Sequence, residues 1–112
     1  MLVREKFAAK ANPVQDEGAQ KARIAVLIGP EEGAPNFVMR RIELDEGGCT
    51  PHHAHNWEHV VYILEGQGKL KGEKGELELK PGSSVLVLAN ERHQFVAESD
   101  KPLVFLCSIP KR

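Results

Sequence analysis

The stretch HVVYILEGQGKLKGEKGELELKPG, residues 59–82, decides the fold class. It opens with a β-rich apolar run, His59 to Leu64, closed by Glu65-Gly66. A short segment from Gly68 to Lys71 ends at Gly72, and Glu76-Leu77-Glu78-Leu79-Lys80 ends at Pro81-Gly82. Glycine and proline punctuation at this spacing breaks any helix, and runs of four to six residues between breaks read as strands. Strict alternation in the last run predicts Leu77 and Leu79 facing a core while Glu76, Glu78 and Lys80 face water.

The same pattern continues on both sides. Upstream lie Ile24 to Ile28, closed by Gly29-Pro30, and Asn36 to Leu44, closed by Gly47-Gly48. Downstream lie Ser84 to Leu88, His93 to Ala97 and Leu103 to Ile109. Eight short strands with turns between them indicate an all-β sandwich or barrel. The one helical stretch the pattern allows is short, around Glu5 to Lys10, and lacks a clear cap. No repeat, linker or low-complexity tract divides the chain, so residues 1–112 read as a single domain with its barrel at about 22–110. Strands 60–64, 85–88 and 103–106 are apolar on both faces. Their surplus must be covered, in part by an N-terminal arm carrying Leu2, Val3 and Phe7, and the expectation is a homodimer.

Composition narrows the partners. The 112 residues carry a net charge of −1, with a pI near 6.5. That offers no electrostatic footprint for nucleic acid or an anionic membrane. No run approaches the ~18 apolar residues of a membrane span, and the first ten residues do not form a signal peptide. Cys49 and Cys107 are far apart and form no C-x-x-C pair. The expected compartment is therefore the reducing cytoplasm.

Five histidines occur, at 52, 53, 55, 59 and 93. In an extended chain His53 and His55 share a face, with α-carbons ~6–7 Å apart, so both imidazoles can reach one ion. His59 has the same parity, and His93 opens a remote strand after the polar turn Asn90-Glu91-Arg92. His52 has the opposite parity and is expected in solvent. Three ligands from one turn region and one from a distant strand would make a rigid chelate. The expected ligands are His53, His55, His59 and His93. Imidazole donors without sulfur suit Mn, Fe, Ni, Cu or Zn.

Residues 47–66, from Gly47 through His53, His55 and His59 to Gly66, resemble the first cupin motif, G-x5-H-x-H-x3-4-E-x6-G. Residues 82–97 resemble the second, G-x5-P-x-G-x2-H-x3-N, with His93 as its histidine. The resemblance runs from near Asn36 to Ile109. It implies a double-stranded β-helix, the jelly-roll or cupin barrel, with a short N-terminal arm and one divalent metal in its mouth. His59 stands where the family motif has glutamate, and Glu58 is displaced by one residue onto the other face. The chain thus resembles the four-histidine subgroup associated with manganese. Leu88, Asn90 and Ala97 replace the Pro, Gly and Asn of the second motif; asparagine tolerates the left-handed turn needed there.

Four imidazoles on an octahedral ion leave two positions open for water, dioxygen or a small organic substrate. The expected function is a metal-dependent, dioxygenase-like oxidoreductase. The alternative is a non-redox cupin that binds or isomerises a sugar or carboxylate. Glu58 and Cys107 are the candidate catalytic residues. Arg40, placed by parity on the apolar face of its strand, and Trp57 are the candidate substrate contacts.

Overall fold

A computed structural model describes residues 1–6, 8–98 and 100–111. Phe7, one of the arm's expected apolar contacts, lies outside the described residues. The strands are β1 (Asn12–Pro13), β2 (Gln20–Ile28), β3 (Phe37–Cys49), β4 (His59–Glu65) and β5 (Gly68–Gly72). They continue as β6 (Gly75–Leu79), β7 (Ser84–Val87), β8 (His93–Ala97) and β9 (Leu103–Pro110). All pairings are antiparallel, and the main path runs β6-β5-β8-β3-β9-β4-β7, with β2 on β3 and β1 on β2. The sheet curls until its two ends, β6 and β7, line the same cleft.

The alternating residues of β4 and β9 make the core. Val61 and Ile63 point in, as do Leu103, Phe105, Cys107 and Ile109. Register stacks them in layers: Leu44 beside Leu103, then Ile42 beside Phe105 and Ile63, then Arg40 beside Cys107 and Val61. Burying a large apolar side chain in such a layer contributes about 1.5–3 kcal/mol. Phe105 also stacks on Phe95, ring centroids 4.6 Å apart, tying β9 to β8 across the interior.

Three local expectations change. The Gly47-Gly48 pair does not end its strand: β3 runs on to Cys49 through a bulge, where Gln20 pairs with Cys49 and Ala22 with Leu44. A Cβ on Gly48 would sit 2.8–2.9 Å from three carbonyl oxygens, so only glycine fits. The bulge lets one long strand pair with β9 and then reach β8 at Cys49 and Val96. In β6 only Leu79 is buried; Leu77 is 68% exposed, because β6 ends the sheet path and, among the described residues, no strand pairs with its far edge. Where a helix was expected the Ala8 N–H donates to the Glu5 carbonyl in a turn, and among the described residues the helical segment is a single 3-10 turn at Pro30–Glu32.

The arm lies along the outside of the barrel. Arg4 donates to the Leu27 carbonyl at 2.8 Å and pairs with Glu32 at 3.3 Å, and Arg41 donates to the Lys6 carbonyl. Beyond it the outer face of β4 and β7 shows Val60, Tyr62, Leu64 and Leu86 to solvent. No helix among the described residues is long and apolar enough to cross a membrane.

Candidate metal centre

His53 and His55 lie on the loop between β3 and β4, not on a strand. Their convergence therefore comes from how that loop is pinned. Thr50 forms two hydrogen bonds with Phe95 and one with Gln94, at 2.9–3.0 Å, fastening the loop's start to β8. His53 then forms an isolated bridge with His93, their N–H groups and carbonyls exchanging bonds of 3.1 and 2.9 Å. The Asn90 N–H donates to the His55 carbonyl, and Asn90 takes φ +65°, the left-handed turn expected of it. His59 begins β4, with its side chain inward. Thr50 is a positioning residue that sequence reading missed, since a lone threonine before Pro51 carries no signal.

The four rings gather at the barrel mouth. Centroids are 4.1 Å apart for His53–His55, 4.9 Å for His59–His93, 5.1 Å for His53–His93, 5.4 Å for His55–His59 and 6.3 Å for His55–His93. With a metal–nitrogen distance of about 2.1 Å, adjacent octahedral imidazoles have centroids about 4.6 Å apart and opposite ones about 6.5 Å. Four of the spacings suit neighbours and His55–His93 suits an opposed pair. Among the described residues, however, no three His, Cys, Asp or Glu side chains already form a group that could hold an ion. The rings are close but not yet aimed at one point.

Two further observations fit a metal. The His93 Nδ1 lies 2.8 Å from the Glu91 carbonyl, which as acceptor fixes the proton on Nδ1 and leaves Nε2 with its lone pair. The His59 Nδ1 is buried and has no hydrogen-bond partner among the described residues. Burial pulls the His59 imidazole down to about 3, with further lowering by His93, Arg40 and the other two rings. Burial and then His55 and His93 pull His53 down to about 4. Both are neutral at pH 7, the form a metal needs.

The rings open into a cavity of about 290 Å³. Ile24, Ile42, Phe95 and Phe105 wall it, and Arg40, Cys107 and Asp16 also line it. Trp57 forms one side and stacks on His55 at 4.3 Å and 8°. Cys107 is buried, and burial pushes its thiol pKa up despite the neighbouring guanidinium. Glu58 is exposed and is not among the cavity residues; His52 is exposed as expected.

A curled antiparallel barrel with histidines at its mouth is the double-stranded β-helix architecture. The cupin domain family matches residues 40–109, and the chain belongs to that family. The polyketide cyclase RemF from Streptomyces resistomycificus is 33% identical, with a TM-score of 0.93 over 98% of this chain and 79% of that one. A cupin-2 domain from Rhodospirillum rubrum is 22% identical, with a TM-score of 0.86 over 99% and 75%. A predicted oxalate decarboxylase from Thermotoga maritima is also 22% identical, at 0.83 over the whole of both chains. The last two share the fold. No curated protein matches the chain.

Proposed function

We propose that this cupin is a metal-dependent enzyme acting on a small enolisable or phenolic compound. The observation that carries the proposal is the gathering of four imidazoles, two of them held neutral, at the mouth of an apolar cavity. His53, His55, His59 and His93 would hold one divalent ion, manganese first and iron, nickel, copper or zinc as alternatives. Such an ion, when bound, supplies Lewis acidity toward a carbonyl or enolate oxygen. The chain's own part is to position the substrate. Trp57 holds His55 and walls the pocket, the apolar lining excludes water, and Arg40 stands one register layer inward of His59.

Of the two reaction types open from the sequence, the non-redox one gains support from the 33% identity to a polyketide cyclase. The reaction class would then be carbon–carbon or ring-forming chemistry at an enol rather than oxygen activation. Protein reconstituted with manganese, and separately with zinc, is to be tested on β-dicarbonyl and phenolic compounds with an oxygen electrode. Turnover with either metal and no oxygen uptake supports the proposal. Substrate-dependent oxygen uptake confined to a redox-active metal returns the centre to the dioxygenase-like oxidoreductase. We also propose a homodimer through the exposed Val60, Tyr62, Leu64 and Leu86 face, and a cytoplasmic location for a chain with two free thiols.

A further inference from the structure

Among the described residues Arg40 lacks the counter-charge that Arg23 and Arg41 possess. Arg23 pairs with Asp45 at 2.8 Å and Glu43 at 3.2 Å, and Arg41 pairs with Glu43 at 3.0 Å, all on the outer face. Arg40 points the other way, into the barrel between Val38 and Ile42. Among the described residues it has no ion pair within 4.0 Å, and its hydrogen-bond partner is the Cys107 sulfur at 3.0 Å. Its Nε is buried without a hydrogen-bond partner among the described residues. Sulfur is a weak acceptor, and the buried thiol is held protonated, so it does not neutralise the guanidinium. Among the described residues one carboxylate, Asp16, lines the cavity, and it forms no ion pair with Arg40 within 4.0 Å. Keeping a cation in such a place costs stability, and side chains with that cost are retained where an anion completes them.

We propose that Arg40 is the anion anchor of the cavity, and that the ligand is a flat apolar acid. Its ring lies against Phe95, Phe105 and Trp57, and its carboxylate or acidic enol oxygen meets the guanidinium. A planar guanidinium carries N–H donors in a fixed fork, the geometry that grips a two-oxygen anion. This rests on reading the cavity as the substrate site, but it does not require a bound metal.

The test is calorimetric titration of benzoate, and of neutral benzamide, into the wild type and Arg40→Met, each metal-free and metal-loaded. The expected result is that benzoate binds the wild type and loses about tenfold or more in affinity in the variant, as for a hydrogen bond to a charged group. Benzamide affinity and metal content stay unchanged. The Arg40 dependence persists in metal-free protein, so a failure to bind metal would overturn the metal reading and leave this one standing. Thermal melts add a readout that a structural arginine would not give: Arg40→Met melts higher than the wild type without ligand, and benzoate no longer raises its midpoint. Should the variant not fold, the Arg40 Nε–H resonance of the wild type is to be followed on adding benzoate, and it must shift. No benzoate binding by the wild type, equal affinity in both proteins, or an unmoved Nε–H signal would overturn the proposal.

Discussion

Replacing Phe105 with alanine tests the layered interior that holds the centre in place. The side chain is fully buried, in register with Ile42 and Ile63, and stacked on Phe95. Phenylalanine-to-alanine changes in cores cost about 3–5 kcal/mol through lost transfer energy and the void left behind. Here the void would adjoin the existing 290 Å³ cavity, into which neighbouring side chains can relax and relieve part of the loss. We expect about 3–4 kcal/mol, a large part of the roughly 5–15 kcal/mol that stabilises a domain of this size. With a urea m-value on the order of 1.3 kcal/mol/M, the unfolding midpoint falls by about 2–3 M. Leu77→Ala is the control: at 68% exposure it should change stability by no more than about 0.5 kcal/mol. Comparable losses in the two variants, or a loss below about 1 kcal/mol for Phe105→Ala, would refute the assignment of the core layers.

Three other outcomes are expected. In metal-free protein, His53 and His59 stay neutral down to about 4 and 3 while their unfolded counterparts protonate near 6.5. Below pH 6.5 the unfolded chain therefore binds the extra protons, and stability falls as pH drops toward 4. Urea midpoints at pH 7.5, 6 and 5 check this, and a flat profile above pH 5 contradicts it. His59→Glu should keep metal binding while weakening acetate or azide binding by tenfold or more. Opposite unit charges ~4 Å apart interact by about 4 kcal/mol at an effective dielectric of ~20, so cancelling one should register by titration. Tyr62→Glu, a charge placed in the exposed apolar face, should halve the mass seen by light scattering; a wild type already monomeric at micromolar concentration removes the dimer.

The strands and the histidine cluster were legible because each rests on local chemistry. Turn residues mark off β8 and β9 without knowledge of their partners, but 103–106 is apolar on both faces, so only the fold shows that Phe105 and Cys107 are the inward residues. Leu77 shows the limit of that reasoning. Alternation says which residues share a face, but whether anything covers the face depends on where the strand sits in the sheet, and β6 is at its end. Gly47-Gly48 looks like any turn; only the register of β2 reveals a bulge. The histidines illustrate a right grouping with a different cause. Strand parity brought His53 and His55 together on paper, whereas in the fold the loop is held by Thr50 and by the bridge to His93. Arg40 was placed inward by parity, and the absence of a carboxylate beside it could be seen only in three dimensions.

The proposed binding of one metal ion by His53, His55, His59 and His93 is open to direct measurement. Metal-free protein given manganese, then desalted and analysed by atomic emission, tests it directly. Binding is followed through emission of the chain's single tryptophan, Trp57, which stacks on His55. One ion per chain is expected in the wild type, with quenching of that emission. His93→Ala and His53→Ala should each lose most of the ion while their β-sheet circular dichroism is retained. Equimolar metal still held by either variant, or none held by the wild type, would contradict the account.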